Sequence, residues 1–311
     1  MTGKKAIVVG GAGFIGSNLV DHLLSNNIYE NVVVVDDMST GREENKNPNA
    51  FYYNCDFGDV KVYADELSEA NSVFHLAAKA RVQPSIKDPV SFDYTNVHSM
   101  VKLLKACVDN NVKNFVFSSS SSIYGDTDEF PTPETAPTKP MSPYGLQKLI
   151  GEQYCKLFSE SIACQDGSFM NTTCLRYFNV YGDRMLNEGA YCLVMGVFDS
   201  LKKKGLPLTI YGDGNQLRDF TYVGDVVKAN VAADAFMTKH GADGEIFNIG
   251  NGDNRSINQI ASHYDSKIEH LPARLEPFKT LADNTKAKSI LSWYPTGNVE
   301  EWLKSHLEND I

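Results

Sequence analysis

Tyr144 and Lys148 are the two residues of this sequence whose types and spacing point most directly to chemistry. They stand four positions apart in a predicted helix, so both side chains project from one face. An ammonium close to a phenol favours the phenolate, which would bring the pKa of Tyr144 towards the working pH and let it act as a general base. Because this spacing is common by chance, a surface pair is the simpler interpretation of the two residues alone.

A run of serines lies upstream of this pair. Ser118–Ser122 follow the apolar segment Phe115–Phe117, which indicates a buried strand. The serines therefore emerge at the carboxyl end of a strand, which is where ligands bind in parallel sheets. One hydroxyl there could hydrogen-bond a substrate hydroxyl beside Tyr144. Most of the serines should instead satisfy backbone groups of the turn.

A glycine-rich turn near the start of the chain has the spacing of a dinucleotide site. Gly10, Gly13 and Gly16 follow a predicted strand and open a predicted helix. Such glycines let backbone N–H groups approach a pyrophosphate at the helix N-terminus. Asp36 ends the second strand about 20 residues later, where a carboxylate would bind the ribose hydroxyls and repel a 2′-phosphate. We therefore expect NAD rather than NADP, the alternative being a turn made only for close packing. Asp56, after the next strand, either meets the adenine or is an ordinary loop acid.

These residues need a framework, and the rest of the sequence supplies one. Buried strands are predicted at Ala6–Val9, Val32–Val35, Ser72–Leu76, Asn114–Ser118 and Thr172–Leu175, and helices at Phe14–Ser25, Pro89–Asp109 and Tyr144–Phe158. Continuous apolar strands that alternate with helices predict an α/β fold with a doubly wound parallel sheet of the Rossmann type. The proline-rich segment Asp126–Pro143 is predicted to be an active-site loop.

The regular alternation ends after about Asn179. The later segments predict helices at Tyr191–Lys204, Gly224–Thr238 and Ser256–His263, and strands at Leu208–Tyr211 and Ile246–Ile249. We expect an NAD-binding domain over residues 1–178. Residues 179–311 would form a smaller C-terminal lobe that binds substrate and is interleaved with the last strands of the sheet.

Composition excludes several classes of protein. Of 311 residues, 42% are hydrophobic and 22% charged, so the chain can bury a large core. A net charge of −10 argues against a nucleic-acid surface. No apolar run approaches the length of a membrane span. The six cysteines are scattered, which suits a reducing cytoplasm and predicts neither a disulfide framework nor a metal site.

Eight motifs occur in the order of one known family: GGAGFIGS, VDDMSTG, FHLAA, SSSSSIYG, SPYGLQK, LRYFNVYG, IYGDGNQLRDFTYVGDV and FNIGNG. By these motifs the chain resembles the extended short-chain dehydrogenases/reductases of the nucleotide-sugar epimerase/dehydratase family, and within it the members similar to UDP-glucose 4-epimerase. The resemblance covers nearly the whole chain. It departs from the family pattern at Val9, where a Thr is usual, and after Arg274, where Pro-Gly is usual.

The resemblance implies a role for each matching position. The residues it assigns to NAD are Gly10, Gly13, Phe14, Ile15, Gly16, Asp36, Asp56, Leu76, Ala77, Ala78, Asn96, Ser118, Tyr144, Lys148 and Phe178. The catalytic residues it implies are Ser120, Tyr144 as the base and Lys148 on the nicotinamide ribose. The residues it assigns to a nucleotide-diphosphate sugar are Ser120, Tyr144, Asn179, Arg218 and Arg274. It also implies a homodimer built on the helices Pro89–Asp109 and Tyr144–Phe158.

The residues of the serine segment limit which reaction of the family we expect this chain to catalyse. In the family's 4,6-dehydratases an Asp-Glu pair follows the catalytic Thr, whereas Ser121 and Ser122 stand there in this sequence. The remaining chemistry is oxidation at C4 of the sugar, with the proton going to Tyr144 and hydride to NAD. Return of hydride to the other face makes a 4-epimerase, and release of the ketone makes a C4 dehydrogenase or oxidase. The family favours the epimerase, and a non-catalytic NAD-binding regulator is a further alternative. The sequence does not identify the nucleotide, which could be UDP, GDP or CDP, or the hexose.

Overall fold

Seven parallel strands form the central sheet in a computed structural model, which describes residues 4–189 and 192–309. The strands in chain order are β1 Lys5–Val9, β2 Asn31–Asp36, β3 Phe51–Asn54, β4 Ser72–His75, β5 Asn114–Ser120, β6 Asn171–Tyr177, β7 Val180–Tyr181, β8 Leu208–Tyr211, β9 Leu217–Asp219, β10 Thr221–Tyr222, β11 Asp243–Ile249, β12 Asn254–Ser256 and β13 Ile268–Leu271. The helices are α1 Phe14–Ser25, α2 Ala64–Leu67, α3 Val82–Lys87, α4 Pro89–Asp93, α5 Met100–Asp109, α6 Pro143–Ser161, α7 Val194–Lys203, α8 Val223–His240, α9 Ile257–Ser262, α10 Thr285–Leu291 and α11 Val299–Asn309.

The order of the sheet is β3-β2-β1-β4-β5-β6-β11, with every adjacent pair parallel. This order confirms the predicted Rossmann fold. Strand order reverses between β1 and β4, and ligands bind beyond the carboxyl ends of the strands at such a reversal. The glycine-rich turn and the segment after β4 both lie there.

Both faces of the sheet are buried, as the continuous apolar strands predicted. Val8 and Val34 face a core made with α1, α8 and α10, whereas Val9 and Val35 face a core made with α2, α5 and α6. Alternate residues of a strand point to opposite faces, so each strand supplies both cores. Burial of both faces explains why the strand sequences are continuously apolar and do not alternate between apolar and polar residues.

The predicted helix Pro89–Asp109 is present, and its centre is widened. A π-helical segment, Tyr94–Ser99, separates α4 from α5 without ending the helix. Apolar periodicity does not distinguish such a turn from an α-helical one. Single π turns occur often at functional sites, and this one contains Asn96.

A third core lies in the lobe, where β7 and β8 pack with helices α7, α9 and α11 around Phe198, Tyr264 and Leu303. From this lobe the chain returns to the central sheet, where α8 packs on α1 and β11 pairs with β6. Strand β11 lies within residues 179–311 but belongs to the central sheet. The division into domains of residues 1–178 and 179–311 therefore stays a prediction. Helix α7 begins at Val194, and the predicted start at Tyr191 lies outside the described residues.

No helix in the described parts of the chain is long and apolar enough to cross a membrane.

Candidate active site

The turn between β1 and α1 needs its glycines for two different reasons. Gly10 has φ +86°, and a methyl group there would lie 2.6 Å from the backbone nitrogen of Ala77. A methyl at Gly16 would lie 2.0 Å from the carbonyl oxygen of Gly10, so both positions are closed by the protein itself. A methyl at Gly13 would meet only that same oxygen, at 3.4 Å, among the described residues. The outer side of Gly13 is therefore open for a ligand that approaches the backbone closely.

Asp36 is held rigidly at the end of β2. Its carboxylate oxygens accept hydrogen bonds from the backbone N–H groups of Ala12 and Met38, both at 2.9 Å. Burial raises the pKa of Asp36, and these two hydrogen bonds oppose the shift. Each oxygen keeps a lone pair for a further donor, which suits ribose hydroxyls. Asp56 lies beyond β3 and accepts from the Gly58 N–H at 2.7 Å, so it closes a turn whatever else it contacts.

The segment after β4 forms the other wall of this cleft. The N–H groups of Leu76 and Ala77 both donate to the carbonyl of Val9 at 2.9 Å, and Ala78 follows them. Asn96 is buried, and its side chain is fully engaged by protein. It accepts from the Lys79 N–H and donates to the Lys79 carbonyl, both at 2.9 Å, and it donates to Gln147 at 3.0 Å. Asn96 therefore ties the wall of the cleft to α6.

Three aromatic or apolar residues of the predicted cofactor site lie at the ends of elements. Phe14 and Ile15 open α1 and pack partly buried against the core. Phe178 follows β6, is buried against Tyr124, and donates its N–H to the Ile249 carbonyl at 3.1 Å.

The serines at the end of β5 make different contacts. Ser118 donates its hydroxyl to Tyr177 at 3.0 Å, and its carbonyl accepts from the Lys148 ammonium at 2.6 Å. The Ser120 hydroxyl accepts from the Ser122 hydroxyl at 2.9 Å, and it lies near enough to the phenol of Tyr144 to lower the pKa of that residue. The structure thus brings Ser120, Tyr144 and Lys148 together. Of the serines at this strand end, Ser120 is the one whose hydroxyl lowers the pKa of Tyr144.

Helix α6 positions Tyr144 and Lys148 through its first turn. Ser142 caps the helix by accepting from the Gly145 N–H, and Pro143 occupies the first helical position. Tyr144 donates its own N–H to the Ser85 hydroxyl at 3.2 Å. Lys148 is buried, with its ammonium 4.8 Å from the Phe117 ring centroid and 5.9 Å from that of Tyr144.

Burial shifts the pKa values of both Tyr144 and Lys148. Burial raises the pKa of Tyr144, opposed by the hydrogen bond from Ser120 and by the charge of Arg81. Burial also lowers the pKa of Lys148 to about 8. That the Lys148 ammonium lowers the pKa of Tyr144 stays a prediction. The Lys148 ammonium donates to the Ser118 carbonyl.

A buried network that the sequence analysis missed supports these residues. Arg176 of β6 and Glu152 of α6 form a bidentate ion pair at 2.8 and 2.9 Å. Glu152 also accepts from Ser119 at 2.5 Å, and Arg176 donates to the Tyr124 hydroxyl at 2.7 Å. Glu152 stands four residues after Lys148, so helical spacing was the signal that could have found it. The network fixes α6 against the ends of β5 and β6.

Residues predicted to hold the nucleotide gather at the edge of the lobe. Asn179 donates to the backbone oxygen of Asp219 at 3.1 Å, next to Arg218. Arg218 is buried and pairs with Glu276 at 3.1 Å. Arg274 is exposed and stacks over the Tyr211 ring at 3.6 Å. Burial lowers the pKa of Arg218, the Glu276 carboxylate opposes this shift, and the charge of Arg274 adds to it. Two cations and an amide in one region suit a diphosphate.

His75 lies at the end of β4 and packs inside the core. It is buried between Phe57 and Phe117, and burial lowers its pKa to about 3. A neutral imidazole in this position takes no part in proton transfer near neutral pH.

Comparison with known proteins agrees with this geometry. The sequence model of the NAD dependent epimerase/dehydratase family matches residues 6–250. A curated relative from Methanocaldococcus jannaschii, named as a putative UDP-glucose 4-epimerase, is 36% identical over 96% of this chain and 95% of its own length.

Solved structures extend the similarity to three dimensions. UDP-glucose 4-epimerase of Thermotoga maritima, solved with UDP-glucose, has a TM-score of 0.89 and 37% identity over 98% of this chain and 97% of its own. UDP-glucose 4-epimerase of Thermus thermophilus, solved with NAD, has a TM-score of 0.85 and 28% identity over 99% of this chain and the whole of its own. The similarity spans both the sheet and the lobe.

Proposed function

The chain belongs to the NAD dependent epimerase/dehydratase family, and on that premise we propose that it is a nucleotide-sugar 4-epimerase of the UDP-hexose type. The observation that carries the proposal is the grouping of Tyr144 and Lys148 at the carboxyl edge of the sheet, where β5 ends at Ser120. Ser121 and Ser122 follow it, so no carboxylates stand where a 4,6-dehydratase of this family has its acid and base. Curated relatives named as UDP-glucose 4-epimerases support the choice of nucleotide and hexose.

NAD is the cofactor of this family, and the cleft fits it. The open outer side of Gly13 leaves room for a pyrophosphate at the N-terminus of α1, and Asp36 offers free lone pairs to ribose hydroxyls. The nicotinamide ribose would lie near Lys148. When bound, NAD supplies a hydride acceptor and donor and a positive charge beside the sugar.

The residues of the chain carry out the proton transfer. Tyr144 takes the proton of the sugar 4-hydroxyl as C4 is oxidised to the ketone, and it returns that proton when C4 is reduced from the other face. Ser120 holds the same hydroxyl, while the Arg176–Glu152 pair keeps α6 in place against β6. The step is favoured chiefly by alignment of these groups.

The nucleotide would be held by the lobe. Arg218 and Arg274 would bind the diphosphate, assisted by the Asn179 amide. Arg218 already pairs with Glu276, so a diphosphate must compete with this carboxylate. Rotation of the sugar between the two hydride transfers requires that the nucleotide stay bound meanwhile, and two arginines provide that attachment.

We also propose that the protein is a cytoplasmic homodimer. Val90 and Tyr94 on one helix and Leu146 and Leu157 on α6 are exposed apolar side chains. Leu146 and Leu157 are three helical turns apart and share a face. Exposed apolar groups on adjacent helices are typical of an interface, and pairing of two such faces gives a four-helix arrangement. All six cysteines have free thiols, which suits a reducing compartment.

An assay with purified protein tests the activity. The protein should carry NAD, identified by mass spectrometry after denaturation, and should interconvert UDP-glucose and UDP-galactose, or their N-acetyl or uronate counterparts, without net NADH. Tyr144→Phe should lose about 10²-fold or more in kcat, whereas Tyr154→Phe, elsewhere on α6, should keep it. Accumulation of NADH with a 4-keto product would instead identify a C4 dehydrogenase. The absence of turnover on every substrate would favour a regulator that only binds NAD.

A further inference from the structure

Asp219, at the end of β9, carries a buried carboxylate that the proposed proton transfer does not use. None of its surface is exposed. Its oxygens accept hydrogen bonds from three backbone N–H groups, that of Asn251 at 2.8 Å and those of Gly252 and Ala282 at 3.0 Å. Asn251 and Gly252 follow β11, whereas Ala282 lies between β13 and α10. One side chain therefore joins β9 to two segments that are distant from it in the sequence.

The backbone of Asp219 extends this connection to Asn179. The Asp219 N–H donates to the Thr280 hydroxyl at 3.1 Å, and the Asp219 carbonyl accepts from the Asn179 amide at 3.1 Å. The same amide donates to the Thr280 hydroxyl at 3.4 Å. The three residues thus form a closed set of hydrogen bonds, and Asn179 cannot move away without breaking two of them.

The residues predicted to bind the diphosphate are all arranged around Asp219. Arg218 precedes it in β9, and Asn179 is bonded to its backbone. The segment that follows Arg274 runs beside β9, to which it is joined by backbone hydrogen bonds at 2.9 and 3.0 Å. The bond from the Ala282 N–H to the Asp219 carboxylate fixes the end of that segment. Asp219 is therefore the common attachment point of the parts that carry these three residues.

The ionised form of this carboxylate is costly in its surroundings. Burial raises the pKa of Asp219 to about 6, the three N–H groups oppose this shift, and the charge of Asp253 adds to it. A neutral Asn would avoid the cost, but an amide side chain offers one acceptor oxygen and one NH₂ donor. Both oxygens of Asp219 accept N–H groups here. The chain thus keeps a carboxylate where only a carboxylate can hold all three segments.

We propose that Asp219 is a positioning residue for the nucleotide diphosphate, which holds Asn179, Arg218 and the segment after Arg274 in one arrangement. The inference rests on the proposed nucleotide-sugar function and deepens it. Asp219 is fully buried, so it shapes the binding site without touching the ligand. Its hydrogen bonds among the described residues lead to the diphosphate residues and not to Tyr144 or Lys148. Asp219 therefore acts on binding of the nucleotide and not on the reaction at C4.

Asp219→Asn tests the proposal, with Asp225→Asn as its matched control. Asp225 is a buried carboxylate of α8 that accepts the N–H groups of Thr296 and Gly297, both at 2.7 Å. Both variants lose hydrogen bonds of a buried carboxylate and should melt at a lower temperature than the wild type. Only Asp219→Asn should bind UDP about tenfold more weakly in calorimetry, with a similar rise in KM for the nucleotide sugar and unchanged kcat and NAD content.

Three results would show that Asp219 serves stability alone. These are wild-type UDP affinity in Asp219→Asn, an equal loss of affinity in both variants, and a kcat that falls together with the rise in KM. GDP or CDP replaces UDP as the probe if the wild type binds one of them more tightly.

Thr280→Val is a milder variant that keeps the test decisive if Asp219→Asn does not fold. It preserves the shape of the side chain and removes the hydroxyl that joins the Asp219 N–H to Asn179. It should bind UDP about threefold more weakly with unchanged kcat, and wild-type affinity would contradict the proposal. Binding of UDP needs no turnover, so binding without epimerisation would refute the 4-epimerase alone. A wild type that binds none of the three nucleotides would refute both.

Discussion

At the scale of single residues, the site depends on burying groups that prefer water. Lys148 is 4% exposed, and at neutral pH its ammonium is compensated mainly by the Ser118 carbonyl and the Phe117 ring. The cost of this burial lowers its pKa from 10.5 to about 8. Function at this position therefore reduces the stability of the fold, which is the usual relation at active sites.

Lys148→Met tests that cost through its pH dependence. Between about pH 8 and 10.5 the unfolded chain holds a proton on Lys148 that the native chain has lost, so the wild type gains stability as pH rises through this window. The variant should be more stable than the wild type near pH 7, by about 1 to 3 kcal/mol, and this advantage should shrink towards pH 10. Urea denaturation at both pH values measures it. Lys105→Met, at an exposed lysine of α5, is the control and should show no such trend. A variant that is less stable at neutral pH, with no pH dependence, would contradict the interpretation.

At the scale of elements, we expect two glycines of the β1–α1 turn to have different roles, Gly16 in folding and Gly13 in cofactor binding. Gly16→Ala places a methyl 2.0 Å from the Gly10 carbonyl oxygen, so it should destabilise the apoprotein by about 1 to 3 kcal/mol. Gly13→Ala meets that oxygen only at 3.4 Å and has an ordinary φ of −79°. It should fold normally but copurify with much less NAD. Thermal unfolding and the NAD content of each variant distinguish the two effects, and normal NAD content in Gly13→Ala would show that the cofactor does not approach this turn.

The elements also show how far the sequence could predict the structure. Local signals sufficed for α6, whose cap Ser142 and first residue Pro143 are adjacent in the chain, and for seven of the strands, namely β1, β2, β4, β5, β6, β8 and β11. They did not predict the π turn at Asn96, because its geometry depends on packing against Lys79 and Gln147. Contacts between distant segments, such as Arg176 with Glu152, are set by the fold and have no local signature.

Within the candidate site, too, local sequence patterns predict some features and the fold alone determines others. Spacing identified Gly10, Asp36, Tyr144 and Lys148 as candidate site residues. The Ser118 carbonyl that accepts from Lys148 is 30 positions away in the sequence, and only the fold brings α6 to the end of β5. Motifs in the sequence thus name the reacting groups, whereas the fold determines their electrostatic environment.

At the scale of the whole molecule, the exposed helical face predicts self-association. Leu157 on α6 is 46% exposed and Val90 on α4 is 78% exposed. Leu157→Glu places a charge in the proposed four-helix interface, so it should convert a dimer to a monomer. Sedimentation equilibrium measures the mass, and Ile268→Glu, a similar change on β13 in the lobe, should leave the dimer intact. A wild-type protein that sediments as a monomer would rule out the interface.

The most direct test of the account follows one hydrogen atom. UDP-glucose, or the epimer pair that the panel identifies, is supplied with deuterium at C4 in ordinary water, and the product is examined by NMR and mass spectrometry. Removal of hydride from C4 and its return to the opposite face of the same sugar predict that the product keeps its deuterium at C4, with no label in the solvent. Loss of the label to water, or its appearance in released NADH beside a 4-keto sugar, would contradict the proposed 4-epimerase.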